Sequence, residues 1–190
     1  MSDPMRPRLV EVEAAATTAP LGIYGAVSTA FESYQAEIYN FLRRSTRDEG
    51  AAEDLLQEAF LRLTSEVDAG RTPEHVRAWL YRVAANLAIS RGRRRTTALE
   101  WMARHGRHSL GEDVESPEAG VLARERAFAI DTVLATLSTE ARTALLLSAD
   151  GFSGEEIAAA IGRSHGATRT LLSRTRVRVR LELEQRGDLR

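Results

Sequence analysis

The sequence predicts an all-α protein of two small helical domains, an N-terminal bundle and a C-terminal helix-turn-helix domain, joined by a flexible linker. Apolar residues recur at helical spacing in the long segments, and cap residues with first-turn prolines stand where helices would begin. The one strand-like stretch has no second strand to pair with. A chain of 190 residues can hold one medium domain or two small ones. Its 43% hydrophobic and 28% charged content is that of a globular protein rather than a disordered one. With no cysteine, disulfides, thiolate metal sites and cysteine nucleophiles are excluded together. No apolar run approaches the roughly 20 residues of a membrane span, and the start lacks a basic region followed by an apolar one, so a cytoplasmic location without membrane insertion is expected. A net charge of -1 argues against a bulk polyanion binder, yet all 26 cations are arginine, with clusters at Arg91 to Arg95 and Arg174 to Arg180.

Residues 1–20 mix proline, alanine, threonine and charge without a period and read as a mobile arm. From Val27 to Leu42 the residues Ala30, Phe31, Tyr34, Ile38, Phe41 and Leu42 give an amphipathic helix, with Arg43 and Arg44 at its negative end. After the turn Arg47-Asp48-Glu49-Gly50, Ala52, Leu55, Leu56, Ala59, Phe60, Leu63 and Val67 define a second buried face. Diametrically across from it stand Asp54, Gln57, Glu58 and Leu61, an exposed leucine among acids and an amide, which is the pattern of a docking surface. Asp68 to Thr72 form a short loop, and Thr72-Pro73-Glu74 reads as the cap and first turn of a third helix. There Val76, Leu80, Val83, Ala84 and Leu87 face inward, while Trp79, Arg82, Asn86 and Arg93 share a flanking stripe. An aromatic, an amide and cations along one edge suit the stacking, hydrogen bonding and charge neutralisation of unpaired nucleic acid. The first domain is therefore placed at 21–95, and the polar, aperiodic stretch 96–116 is read as linker, with a short helical turn at Trp101 and Met102.

The second domain, 117–190, opens on Ser116-Pro117-Glu118, and Val121, Leu122, Phe128, Ile130, Val133, Leu134 and Leu137 furnish its first helix. Ser138-Thr139-Glu140 caps the next, which holds Ala144 to Leu147 and stops at Asp150-Gly151. Ser153 and Glu156 form a capping box ahead of Ile157, Ala158 and Ile161, and Gly162-Arg163-Ser164 makes the turn into a last helix. Helix, glycine turn and capped helix are the helix-turn-helix pattern. In the last helix Thr168, Leu171, Leu172, Thr175 and Val179 face the core, leaving His165, Arg169, Thr170, Ser173 and Arg174 outward for base edges and phosphates of a major groove, with Arg176 available to phosphates beyond them. Arg174 to Glu184 alternate polar and apolar at period two, a strand pattern. One isolated strand would leave its backbone groups without partners, so a continued helix is expected.

Ala52-Glu53-Asp54-Leu55-Leu56-Gln57-Glu58-Ala59-Phe60-Leu61-Arg62, followed by Ala78-Trp79-Leu80-Tyr81-Arg82-Val83-Ala84-Ala85-Asn86-Leu87-Ala88, resembles the promoter-melting domain of the extracytoplasmic-function sigma factors of bacterial RNA polymerase. Gly151 to Arg180 resembles the -35-reading domain of the same family. The resemblance implies core polymerase binding by Asp54, Gln57, Glu58 and Leu61, and contact with the melted -10 strand by Trp79, Arg82, Asn86, Arg93 and Arg94. The loop residues Asp68, Gly70 and Arg71 would line a pocket for a flipped -10 base, although a plain helix connector explains the same loop equally well. Contact with -35 duplex falls to His165, Arg169, Thr170, Ser173, Arg174 and Arg176. An anti-sigma factor is the implied further partner, with exposed Leu61 and Val177 as contact points. The chain departs from the family at Ala85, where arginine is frequent, at Ser90, where an acid is frequent, at Leu171, which replaces a cation, and at His165, which replaces an apolar residue.

No glycine-rich phosphate loop, histidine–acid–nucleophile set or paired acids in an apolar pocket can be found, so no enzyme activity, cofactor or small-molecule substrate is expected. His105 and His108 lack companions at ligand spacing, and no metal site is expected either. The other reading is a stand-alone helix-turn-helix regulator in which Ala52 to Arg95 dimerises or binds an effector. Such a protein would bind its operator alone, whereas a sigma factor requires core polymerase.

Overall fold

The computed structural model describes residues 20–105 and 129–186, whose regular structure is entirely helical. The helices are α1 (Pro20–Thr46), α2 (Glu49–Asp68), α3 (Val76–His105), α4 (129–135), α5 (Thr139–Ala149), α6 (Gly154–Ile161) and α7 (His165–Arg186). The expected arm up to residue 19, the linker positions 106–116, and Val121, Leu122 and Phe128 lie outside the described residues.

Local chemistry sets most of the helix ends. Arg47 takes a left-handed φ of 58° and ends α1, and the Asp48 side chain then accepts from the Ala51 amide at 2.8 Å to cap α2. With so short a turn, α1 and α2 must run antiparallel. α2 closes in a Schellman turn: Gly70 has φ 71°, its amide reaches the Val67 carbonyl at 2.9 Å, and the Arg71 amide reaches Glu66 at 2.8 Å. The same device ends α5 through Gly151, and it delivers Phe152 against Leu147. The capping box on α6 is complete, with Ser153 and Glu156 each bonding the other's backbone amide.

Two local expectations change, both at α3. The third helix begins at Val76 rather than at Pro73, its first turn closing when the Trp79 amide meets the His75 carbonyl at 2.9 Å. Thr72 is therefore not its cap; the Schellman turn at Gly70 sends the chain out in a non-helical stretch, which Pro73 also favours for the residue before it. The helix then runs without a break through 96–105, where a linker and a separate turn at Trp101 were expected. Arginine, alanine, leucine and glutamate are strong helix formers, and an exposed helix needs no apolar period to persist. The alternating stretch 174–184 is helical throughout, held by buried Thr168, Leu172 and Thr175 and by an Arg178–Glu182 ion pair at 2.9 Å.

The core of the first domain is Ile38, Phe41 and Leu42 of α1, Leu55, Ala59, Phe60 and Leu63 of α2, and Leu80, Ala84 and Leu87 of α3. That of the second is Val133, Leu134 and Leu137 with Leu147, Ile157, Ile161 and Leu172. The two domains are in contact: α3 packs on α5 and α6, and α1 meets α5. As a result Tyr81, Ala85 and Ile89, outside the inward set expected for α3, are buried as well.

Two polar groups tie this contact together. Glu37 of α1 takes a bidentate ion pair from Arg77 and a 3.0 Å hydrogen bond from the Tyr81 hydroxyl. Arg142 of α5 is 5% exposed and has no carboxylate partner among the described residues. Its guanidinium donates instead to the carbonyls of Leu134 at 2.9 Å, Leu137 at 2.8 Å and, across the domain boundary, Ser45 at 3.0 Å. Burial, and then the neighbouring charges of Arg47 and Arg95, pull its pKa down to about 10, so it remains a cation at neutral pH. The hydroxyls of Ser45 and Thr143, both fully buried, make no hydrogen bond among the described residues.

A buried hydroxyl without a partner costs about 1–3 kcal/mol. Thr143→Val, which keeps the shape and removes that hydroxyl, should raise stability by about 1 kcal/mol, read as a higher urea midpoint at unchanged slope. Burial would raise the Glu37 pKa, but the hydrogen bonds from Arg77 and Tyr81 and the Arg77 charge outweigh it, and the net shift is downward from the ordinary 4.5. A lowered carboxylate pKa stabilises the fold fully above that ordinary value, and the contribution is lost as pH falls through the folded pKa. Glu37→Gln should therefore lower the melting temperature at pH 7 and flatten its decline below about pH 4.5.

Candidate polymerase and nucleic-acid interfaces

Three surfaces stand out once the helices are packed. The first is the outer face of α2. Because Ala52, Leu55, Ala59, Phe60 and Leu63 are buried beneath it, Asp54, Gln57 and Leu61 point to solvent, and Leu61 is 69% exposed. Glu58 on this face is half-buried and paired with Arg62 at 2.6 Å, one turn along. An isolated large aliphatic ringed by one free carboxylate, one paired carboxylate and an amide is a surface suited to a protein partner.

The second surface is one side of α3. Arg82, Asn86 and Arg93 are exposed, and Trp79 stands half-buried in line with them. The Asn86 side-chain amine donates to the Arg82 carbonyl at 3.1 Å, which orients the amide and leaves its oxygen free to accept. Arg94 is also exposed but lies about 100° further round the helix. Trp79 and Arg82 line one wall of a cleft of about 360 Å³, whose rim is Pro73 and His75 and whose far wall is Phe152, Ala159 and Ala160 of the second domain. The loop expected to join this surface is exposed at Asp68 and Gly70, but Arg71 is engaged: its guanidinium bonds both Glu66 carboxylate oxygens, at 2.9 and 3.1 Å.

The third surface is the outer face of α7, with the two helices before it. Ser164 caps α7 by accepting from the Ala167 amide at 3.3 Å. His165, Arg169, Thr170, Ser173, Arg174 and Arg176 are all exposed. His165 sits against Gly154, where a Cβ would come within 2.9 Å of its Nε2, so a larger residue at 154 would push the exposed ring aside. Arg176 donates to the Ser148 hydroxyl at 2.7 Å, and the Thr170 hydroxyl donates to the Gly166 carbonyl at 3.0 Å. Between these helices His165, Arg169 and Arg176 line a recess of about 240 Å³ open to solvent. An ion pair of Arg163 with Glu140 ties the turn before α7 to the start of α5.

Sequence reading did not single out Glu37, Arg77, Phe152, Ser148 or Arg142, all of which act through long-range contacts. Only Gly154, immediately after a cap residue, carried a local hint of close packing.

Among known proteins, residues 30–97 match the family described as Sigma-70 region 2, and residues 127–179 match Sigma-70, region 4. The chain is 33% identical over 152 residues to the RNA polymerase sigma-H factor of Pseudomonas aeruginosa, covering 75% of this chain and 78% of that protein. It is 34% identical over 154 residues to the ECF RNA polymerase sigma factor SigJ of Mycobacterium tuberculosis, 77% of this chain but only 47% of that longer relative. In fold it is similar to the sigma factor RpoE of Bartonella quintana, solved in complex with the anti-sigma factor NepR, with a TM-score of 0.65, 23% identity, and coverage of 84% and 97% of the two chains. Two matched regions in the order of the two helical domains, together with a relative one-third identical over most of both lengths, place the chain in the extracytoplasmic-function sigma factors of bacterial RNA polymerase.

Proposed function

We propose that this chain binds core RNA polymerase through Asp54, Gln57, Glu58 and Leu61, and directs initiation by reading two promoter elements with its two domains. It supplies no chemistry of its own; the polymerase does, and the work is done in the cytoplasm where that enzyme is. Trp79, Arg82, Asn86, Arg93 and Arg94 act on the melted -10 strand, with Asp68, Gly70 and Arg71 beside it, the last after exchanging Glu66 for phosphate. His165, Arg169, Thr170, Ser173, Arg174 and Arg176 meet the -35 duplex. The observation that carries this reading is Asn86: Ala84, Ala85, Leu87, Ala88 and Ile89 around it are buried, yet the amide stands exposed between the arginines of one stripe. A helix packed on two sides has no structural use for an asparagine there, whereas an amide can pair with the edge of an unstacked base.

The near-neutral net charge fits the same reading. Phosphate neutralisation dominates non-specific affinity, and a factor meant to hold DNA only with polymerase gains from having little of it. An anti-sigma factor would act on the exposed side chains: the Bartonella relative is solved with one, and here Leu61 and Val177 are the candidate contacts.

The test is run-off transcription with core enzyme on a promoter library. Asn86→Ala should cut initiation about tenfold on templates that carry its preferred base and much less on templates changed at that single position, corresponding to about 1–3 kcal/mol of discrimination. A uniform loss over all -10 sequences would remove the base-reading role. Arg174→Ala should weaken the polymerase complex on every -35 sequence alike, and reduce the slope of log affinity against log salt by about one unit. A mobility shift of promoter DNA by the chain alone, at moderate salt and without polymerase, would favour the stand-alone regulator instead.

A further inference from the structure

The cleft of about 360 Å³ stands between the two domains, and the promoter contacts use only one of its walls. Sites for small ligands run from about 300 to 1,000 Å³ and gather at domain boundaries. Ala78 of α3 and Ala159 and Ala160 of α6 line it with methyl groups, so three short side chains keep it open. Tyr81 and Leu147, both buried, close its depth, and the Phe152 ring stands 4.9 Å from that of Tyr81. With Trp79 on one wall and the α6 alanines on the other, the space is a slot for one flat ring: indole stacks on a ring, and methyl groups give it a smooth opposite face.

Polar groups around the slot have bonding capacity to spare. Among the described residues the Trp79 indole N–H has no acceptor and the exposed Arg82 guanidinium has no carboxylate. Glu156 enters from the second domain. Its Oε2 accepts from the Ser153 amide at 2.8 Å, and this capping box fixes the carboxylate while its Oε1 meets no donor among the described residues. Hydrogen bonding to Ser153, and then the charge of His75 at the rim, hold the Glu156 pKa below the ordinary 4.5, so it is an anion at neutral pH. Glu74, also at the rim, adds a second acceptor.

These groups define what fits. A carboxylate only accepts, so the ring needs donors on the edge that meets Glu156. The Trp79 N–H only donates, so the ring needs an acceptor as well. A guanidinium without a partner calls for a phosphate or carboxylate. An apolar compound meets none of these demands and a simple aromatic acid meets only the last, whereas an amino-bearing heterocycle with a phosphate meets all three.

We propose that the cleft binds a free nucleotide, its base slotted between Trp79 and the α6 alanines, its amino edge on Glu156 and its phosphate on Arg82. The bound nucleotide covers two residues that the sigma-factor reading assigns to the melted -10 strand, so the two ligands compete. That consequence rests on the sigma-factor reading, whereas the site itself does not. The wall supplied by α6 also separates this site from plain stacking on the exposed stripe of α3, which needs nothing from the second domain.

The full chain has 2 tryptophans, so its proton–nitrogen correlation spectrum holds an indole cross-peak for each, and Trp101→Phe assigns that of Trp79. Guanosine monophosphate and adenosine monophosphate should each shift the Trp79 peak saturably. Benzoate, a ring and an anion without the amino edge, should bind about tenfold more weakly. Ala159→Leu, at an exposed position of α6, fills the slot from the second domain and should weaken nucleotide binding about tenfold. Glu156→Gln keeps a residue that can complete the capping box, and should weaken it about three- to tenfold by removing the charge. The proposal is overturned if neither nucleotide shifts the peak saturably in the wild-type chain, if benzoate binds as tightly, or if Ala159→Leu leaves the affinity unchanged, the mark of stacking on the open stripe. Run-off transcription with core enzyme is scored separately: added guanosine monophosphate should reduce initiation by the wild-type chain and spare the Ala159→Leu chain, which keeps every promoter-contacting residue. Unchanged initiation beside saturable binding would remove the competition, and no initiation even without added monophosphate would sink the sigma-factor reading while leaving the site to the cross-peak.

Discussion

The structure depends on one constraint: α3 must bury two sides at once and still keep a third in water. One side, through Leu80, Ala84 and Leu87, completes the bundle with α1 and α2. Another, through Tyr81 and Ala85, receives the second domain, and both residues are nearly or wholly inaccessible. What is left is the strip carrying Arg82, Asn86 and Arg93. A helix offers only about 360° to divide, so each assignment limits the others. Alanines at 84, 85 and 88 are the economical answer, because they give packing area while letting helices approach closely.

Much of this was legible in the chain, for reasons specific to each element. α2 was clear because only one of its faces is buried, so its period is clean. The capping box at Ser153 and Glu156 and the glycine after Ile161 are local devices with few other meanings, and they fixed the helix-turn-helix unit. The alternation from Arg174 to Glu184 misleads because strand and helix periods are judged on few residues, and here arginines happen to fall every second place. What decides the matter is tertiary: Leu172 and Thr175, at the start of the stretch, are anchored in the core.

The second face of α3 could not be read. Tyr81, Ala85 and Ile89 look like spillover from an imperfect period until α5 and α6 are in place. Arg142 is harder still, since a cation in an apolar helix suggests solvent, yet it is turned inward by three carbonyls from two domains. Carbonyl groups at helix ends are negative poles that no sequence string displays. The departure from the family at Ala85 gains a cause in the same way: an arginine at a position with no exposed surface would have nowhere to put its charge.

Thr170 shows how a backbone detail could reach the chemistry of recognition. Its hydroxyl proton is spent on the Gly166 carbonyl one turn back. In the proposed -35 contact the oxygen would therefore present only lone pairs to the groove, able to answer the amino hydrogens of adenine or cytosine but with nothing to offer the carbonyl of guanine or thymine. A single intrahelical bond would then tilt that contact toward half of the four-letter alphabet.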